Sequence, residues 1–578
     1  MPRWLPIPPL QRYPRDAVGP DALAAVTVLF LGVPQGLAYA TIAGLPPVVG
    51  LYAAAIPAII GSLLRSSPLV IAGPTNALSL LVGASLAPEL GADPTALALT
   101  LALLVGLFQA SAGVLRLGSL VDFISTAVVL GYITGAGVLI GVGQLHNATG
   151  TDGPGGRLWV TLEGWVSTLG ETQPLAVAMT VGTVLLVIAL RTLSAKTKRR
   201  IPSAIVAMTL GLLVNVALDL EARGLRVLSD LQPIPAGLPP LTLPDLSLAP
   251  GLLPLAVACA VLSLVESSSV ARSVSSRTGK PLDASTEFFG QGLANIAAGF
   301  FGGYPISGSL ARSALNERAG ARTRIAGILG GALMLVALAT LGPLLDHTPI
   351  SSLAGLLFVV AYDLVDLERI KSVCRASAED AVAFAVTMLG TWVFSLDVAI
   401  YLGVGLSLIL FLRRARLVRV TELVPEGARL AEADADDERA PGPIRVLQVE
   451  GALFFGAAGE LRDALAAVLT EPTTRVLVVR LKRAAGLDAT TASMLGELAT
   501  LTRRQGNVLV LAGVTRSSYE VLERSGVLDK LGRQNVFETQ PQWFSALAAG
   551  LERATRLCPE DARFAGFLAI DREAAVSS

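Results

Sequence analysis

Four stretches of this chain hold residue types that can bind an anion and move a proton. In Tyr304-Pro305-Ile306-Ser307-Gly308-Ser309-Leu310-Ala311-Arg312-Ser313, Pro305 and Gly308 interrupt a hydrophobic run where a helix would otherwise continue. From Ser309 onward a helix is allowed again, with Ser309 near its N-terminus and Arg312 on its first turn. The backbone N–H groups of Ser309, Leu310 and Ala311, the Ser309 hydroxyl, the positive end of the helix dipole and the Arg312 charge then converge. At membrane depth irregular backbone persists only where it is buried in protein or lines a watery cavity, so an anion site is its natural use. The simpler alternative is a plain helix cap, with Arg312 snorkelling or bracing a neighbour.

Ala72-Gly-Pro-Thr-Asn-Ala77 repeats the pattern, with Pro74 suited to a first helical turn and Thr75 and Asn76 either facing a ligand or capping the helix. In Leu31–Ala40, Pro34 kinks a helix and Gln35 and Tyr39 lie four apart on one face, lining the same pocket or packing against it. Glu266 is the main ionisable residue of an apolar segment that ends at Arg272, Arg277 and Lys280. A carboxylate there can take up and release a proton as the site changes access, or pair with Arg312.

These residues need a membrane around them. Of 578 residues 52% are hydrophobic and 16% charged, with a mean hydropathy of +0.63, too apolar for an ordinary soluble protein. Apolar segments of about 20 residues recur between polar turns, the mark of a polytopic helical membrane protein. The spans begin near Asp21, run through Leu64, and resume after Pro74 as a short segment to Leu86. Leu97–Leu115, Leu120–Leu145, Pro174–Leu193 and Pro202–Leu218 complete the first seven. The second seven are Gly251–Val270, Ala284–Phe301, Ser309–Glu317, Thr323–Leu345, Ile350–Leu364 and two within Asp380–Leu412, fourteen in all. The interrupted segments are third in each seven; because seven is odd, the second unit is inverted, and such paired breaks point to a transporter's central site. Arg3, Arg12 and Arg15, then Lys196, Lys198, Arg199 and Arg200, and finally Arg413, Arg414, Arg416 and Arg419 mark the inside, which puts both ends in the cytoplasm. The first twenty residues lack an apolar core, so no cleaved signal peptide is expected.

Other chemistry is disfavoured. Lys+Arg and Asp+Glu both number 45, so there is no basic surplus for nucleic acid. Cys259, Cys374 and Cys558, with His146 and His347, form no metal or cofactor pattern. No P-loop, HExxH or GxSxG motif appears, and Gly135-Ala-Gly137-Val-Leu-Ile-Gly141 lies inside a span, where it reads as close helix packing. An enzyme is not expected.

The division is a cytoplasmic segment (1–20), a transmembrane transport domain (21–412), a linker (413–442), a soluble α/β module (443–553) and a loosely ordered tail (554–578). The linker carries Glu432, Asp434, Asp436, Asp437 and Glu438. In the module, β-like runs at Ile444–Glu450, Arg475–Leu481 and Asn507–Ala512 alternate with helical stretches at Gly459–Leu469, Thr490–Gln505 and Ser517–Ser525.

Pro34-Gln-Gly-Leu-Ala-Tyr39, Gly44-Leu-Pro-Pro-Val-Val-Gly-Leu-Tyr52, Ala72-Gly-Pro-Thr75 and the block from Glu266 through Gln291, Asn295, Tyr304-Pro305 and Ser309–Asn316 to Thr323 resemble the sulfate permease (SulP) family, bacterial relatives of the solute-carrier anion exchangers. The C-terminal module is similar to a STAS domain. The resemblance implies a seven-plus-seven inverted repeat with a core (segments 1–4 and 8–11) and a gate (5–7 and 12–14). It also implies a substrate between half-helices 3 and 10, elevator movement, a homodimer and a bacterial inner-membrane location. The implied cargo is a small anion, a dicarboxylate, bicarbonate or sulfate, with proton symport of a dicarboxylate slightly preferred. Sodium-coupled members resemble this chain at Glu266 but carry hydroxyl residues where it has Val270 and Leu310, and many relatives carry one where it has Ala311. Sodium-coupled symport, anion exchange, nucleobase transport on the same fold, and a STAS-mediated regulatory role without transport are the alternatives. Thr490, in Leu487-Asp-Ala-Thr-Thr491, matches the phosphorylated position of STAS antagonists, with an unmodified helix cap as the favoured alternative.

Overall fold

Apolar runs bounded by proline, glycine and small polar caps set the helix ends of the membrane unit. The computed structural model describes residues 13–86, 93–119, 125–153, 158–197, 202–394, 396–427, 429–433, 442–540 and 544–569. Arg3, Arg12, Lys198, Arg199, Arg200, Leu120, Asp434, Asp436, Asp437 and Glu438, used above, lie outside these residues. The helices are α1 (Val18–Ile42), α2 (Pro47–Leu64), α3 (Asn76–Ser85), α4 (Pro94–Val114), α5 (Thr126–Gly143), α6 (Leu145–Thr149), α7 (Leu158–Ser167), α8 (Pro174–Thr197) and α9 (Ser203–Leu218). They continue as α10 (Ala249–Thr278), α11 (Ala284–Phe300), α12 (Leu310–Arg318), α13 (Ile325–Leu345), α14 (Ile350–Leu364), α15 (Leu367–Ala376), α16 (Ala378–Val393) and α17 (Leu396–Ala415). Every expected segment has its helix; α6, α7 and α15 are additions in the connections. Asp93, Ser125, Asp283 and Ser377 accept hydrogen bonds from first-turn N–H groups of α4, α5, α11 and α16. Nine helices among the described residues are long and apolar enough to cross a membrane, and α3 and α9 are shorter apolar ones.

Packing shows the twofold pattern directly. In the first seven (α1–α5, α8, α9) and the second (α10–α14, α16, α17), corresponding helices make corresponding contacts. The fourth helix of each seven packs on the second helix of the other, as α4 on α11 and α13 on α2. The fifth packs on the sixth of the other, as α5 on α16 and α14 on α8. Two groups result, α1–α4 with α10–α13, and α5, α8, α9, α14 and α16, to which α17 adds through Ser407 Oγ, which accepts from Ser125 N (2.9 Å). Gly135 faces α16 so closely that a Cβ would lie 2.1 Å from Thr391 Oγ1. The two interruptions meet in the first group, where β1 (Ala72–Gly73) runs antiparallel to β2 (Ser307–Gly308), pairing Ala72 with Gly308 and Gly73 with Ser307.

The chain divides into two compact units, Met1–Leu408 and Ile409–Ser578. In the second, β3 (Arg419–Glu426), β4 (Arg429–Glu432), β5 (Ile444–Ala452), β6 (Val476–Ala485), β7 (Val508–Val514) and β8 (Val536–Glu538) form one sheet in the order β4-β3-β5-β6-β7-β8. β5 to β8 are parallel, and β3 is antiparallel to both β4 and β5. The alternating side chains make two cores. Leu447, Leu477, Val479 and Leu509 face α18 (Ala458–Leu469), α19 (Ala489–Arg504), α20 (Arg516–Arg524) and α21 (Val527–Leu531). Val446, Val478 and Val510 face α22 (Ser545–Leu557) with Phe564 and Leu568. Two expectations change here. β3 (Arg419–Glu426) and β4 (Arg429–Glu432), in the stretch assigned to the linker, form an edge hairpin, because β5 is buried over its first six residues and its backbone needs a paired neighbour. The tail is packed through Leu568, because the second face of a doubly buried parallel sheet requires cover. Phe564 is 1% exposed. Its replacement by alanine is expected to cost this unit about 3–5 kcal/mol, read as faster amide exchange across β6 and β7 in the full-length protein.

Candidate anion site

Where helices stop inside the membrane group, side chains of the second repeat satisfy exposed peptide groups of both repeats. Asn295 Oδ1 accepts from Ile306 N (2.7 Å), and Asn295 Nδ2 and Gln291 Nε2 donate to Ile306 O (3.0 and 2.8 Å). Asn295 Nδ2 also donates to Gln109 Oε1 (2.8 Å). Ser267 Oγ accepts from Gly308 N (2.8 Å), and Ser313 Oγ from Ile71 N (2.9 Å). Asn316 Nδ2 donates to Leu69 O (3.0 Å). Ser79 Oγ and Tyr304 Oη lie 2.6 Å apart, joining the two half-helix regions.

Ser309 is the N-cap of α12 and its hydroxyl accepts from Arg312 N (3.4 Å), as expected of a cap. Its own N–H is not open to a ligand; it donates to Ile71 O (2.9 Å). Leu310, 54% exposed, and Ala311 leave the first turn of α12 open on one face, while Arg312 and Ser313 are buried on the other. Thr75 is the N-cap of α3, and Pro74 precedes it rather than occupying the first turn, because the chain is still extended through β1. Asn76 turns its Oδ1 back to accept from Ala77 N (2.8 Å). Gln35 and Tyr39, both buried on α1, belong to the same group of helices, and α1 packs on α3 and α12. Gln35 Oε1 and Arg312 Nε are buried without a protein hydrogen-bond partner, two polar positions that a bound molecule would satisfy.

Arg312 is 2% exposed. Its Nη2 donates to Pro74 O (2.5 Å), so the second repeat's arginine holds the approach to the first repeat's half-helix. The guanidinium lies flat against Gly73, where a Cβ would meet Nη1 at 2.4 Å and the φ of +153° suits glycine. Glu266 does not form an ion pair with Arg312. Its Oε2 accepts from Thr75 Oγ1 (2.9 Å), which ties α10 to α3.

A second arginine, Arg65, is buried in the same group without any motif in the sequence to mark it. Arg65 Nε donates to Glu287 Oε1 (2.7 Å), and Ser67 N donates to Oε2 (3.0 Å), with both side chains sealed from solvent. Arg65 Nη2 borders Gly308 as Arg312 borders Gly73. The available signal was an arginine closing one apolar helix and a second acid, beside the Asp283 cap, in the first turn of another. Thus the charge of Arg65 is neutralised, and that of Arg312 has no carboxylate partner among the described residues.

Thr490, in the other unit, is exposed on the first turn of α19, and the cap is Asp488, which accepts from Thr491 N (2.8 Å).

A model of the sulfate permease family matches residues 20–387, and one of the STAS domain matches residues 436–542. The chain belongs to the sulfate permease family. This sulfate permease is 30% identical to a protein of Mycobacterium tuberculosis described as a "probable sulfate transporter", over 93% of this chain and 97% of that one. It shares its fold with SLC26A9 (TM-score 0.85, 20% identity, 98% of this chain and 94% of that one). It is also similar to the transmembrane domain of the cyanobacterial bicarbonate transporter BicA (TM-score 0.58, 25% identity, 69% and 98%). As a sulfate permease it is a multi-pass membrane anion transporter with a C-terminal α/β STAS domain.

The paired and unpaired arginines give a test of the scaffold. Glu287→Gln strands the Arg65 charge and is expected to cost about 3–5 kcal/mol, read as a lower melting temperature in detergent; the double change Arg65→Met with Glu287→Leu is expected to recover most of it.

Proposed function

We propose that the protein is a secondary active transporter of a small oxyanion, coupled to protons through Glu266. The supporting observation is the pairing of buried charges. Arg65 is neutralised by Glu287, whereas Arg312 keeps its charge between two half-helix starts, beside a carboxylate bound to a hydroxyl. A positive charge held there by packing is expensive to bury alone and favours an anionic ligand. Protonated Glu266 removes the like charge next to that ligand, which is the sign needed for symport. Arg312, Gln35, Tyr39, Thr75, Asn76 and Ser309 would surround the anion, with the N–H groups of Leu310 and Ala311. Val270 and Leu310 offer no side-chain oxygen for sodium.

Sulfate leads the candidates, since the M. tuberculosis relative is described as a sulfate transporter; small dicarboxylates and bicarbonate follow. In this reading the group holding both half-helices moves as an elevator against the other. Tyr132 Oη donates to Ala77 O (3.2 Å) and Tyr401 Oη to Pro254 O across the two groups, contacts that would exchange during the movement. Arg413, Arg414 and Arg416 after the last span support cytoplasmic termini in the inner membrane of a bacterium. A homodimer is part of the same proposal.

Proteoliposomes loaded at high internal pH and given labelled sulfate, fumarate or bicarbonate at lower external pH test this. Accumulation driven by the proton gradient and indifferent to sodium is expected; sodium-dependent uptake would sink the proton reading. Glu266→Gln is expected to abolish pH-driven accumulation at least tenfold while leaving anion exchange measurable. Arg312→Ala is expected to lose binding of every anion by about 10- to 100-fold, the scale of a lost charge-assisted hydrogen bond, measured by isothermal calorimetry.

A further inference from the structure

The two half-helices begin with hydroxyl residues that behave differently. Ser309 caps its own helix, its Oγ accepting from Arg312 N. Thr75, in the corresponding position of α3, makes no side-chain cap bond. It gives its only hydroxyl proton to Glu266 Oε2. A hydroxyl can donate once. While Glu266 is ionised it is acceptor-only, so the Thr75 proton is committed to it and is withheld from any anion at the start of α3. Once Glu266 is protonated, its own O–H can donate to Thr75 Oγ1, and the Thr75 proton is free to turn toward the anion.

We infer that Thr75 is a positioning residue that reverses its hydrogen-bond direction when Glu266 takes up a proton, adding a donor to the anion site only in the protonated state. The inference rests on the proton-coupled reading above and assigns how the coupling is transmitted. No covalent bond changes except the O–H bond formed on Glu266; the proton comes from solvent on the accessible side and returns to solvent on the other.

The groups around Glu266 are compatible with this assignment. From the elements packed about it, the charged and titratable neighbours are Arg312 on α12, Tyr39 on α1 and Tyr132 on α5. Arg65 and Glu287, on the far side of Gly308, form a closed pair. Arg312 Nη2 donates to Pro74 O and Tyr132 Oη to Ala77 O. The Glu266 carboxylate accepts from the Thr75 hydroxyl and also has a side-chain hydrogen bond with Ser307 of β2; of the two hydroxyls, Thr75 is the one at the start of a half-helix.

The test measures KM for labelled sulfate (or whichever of the three anions the uptake assay selects) in proteoliposomes of the full chain, from pH 5 to 8. The wild-type KM is expected to rise steeply with pH. Thr75→Val is expected to raise KM about 10-fold at low pH, the scale of a lost hydrogen bond to a charged group, and to flatten its pH dependence. Thr75→Ser is expected to restore both. If Thr75→Val does not fold, Thr75→Ala removes the same donor with less bulk and carries the same expectation. A hydroxyl-free variant that keeps the wild-type slope overturns this inference and leaves proton coupling standing. A wild-type KM that is flat in pH, with no proton-driven uptake, overturns both. A Thr75→Ser variant as flat as Thr75→Val also overturns it, since the effect would then follow side-chain packing instead of the hydroxyl.

Discussion

Peptide groups removed from a helix at membrane depth cannot turn to water, and the membrane unit is arranged around satisfying them at one place. Leaving a buried donor or acceptor unmade costs about 1–3 kcal/mol, and the break between α11 and α12 contains several. The amides of Asn295 and Gln291 and the hydroxyl of Ser267 are committed to that backbone, Gln109 braces Asn295, and the Ser313 hydroxyl serves Ile71 N at the other break. They come from α4, α10, α11 and α12, so the crossing fixes the spacing of those helices as much as they fix it. The polar side chains of this region are therefore mostly scaffold. Gln35 Oε1 and Arg312 Nε are among the buried polar atoms that the scaffold leaves without a partner.

The electrostatics follow from the same economy. Two arginines flank the two-stranded crossing, each against a glycine, and only one has a carboxylate. A site with both neutralised would have little preference for anions, and one with neither would carry two desolvated charges, each penalised by several kcal/mol. Closing the Arg65–Glu287 pair and leaving Arg312 open concentrates one positive charge where two helix dipoles also point.

Much of this was legible in the residues. Pro305 and Gly308 announced a break, Ser309 a cap, and the recurrence of a short third segment announced an inverted partner. The pairing of Ala72 with Gly308 was not legible, because two residues of strand have no periodicity to detect. Nor was the Arg65–Glu287 contact, because its members are 222 positions apart and each lies at a helix end where a solvated charge is ordinary. The hairpin of β3 and β4 was hidden by its acidic surroundings, and the covered second face of the STAS sheet by a tail rich in alanine, arginine and glutamate. In each case composition described the exposed side of an element, whereas its placement was decided by what the neighbouring element left uncovered.

The interlocking of the repeats bears on how the protein is made. Synthesis delivers Arg65 and β1 with the first half of the chain, and Glu287 and β2 only after every helix of that half has emerged. Until then an arginine destined for a dry interior has no counter-charge, and two strand residues have no partner. The first seven helices consequently cannot reach their final arrangement by themselves; the nascent half has to wait, with its charge near water or sheltered by the insertion machinery, for its inverted counterpart.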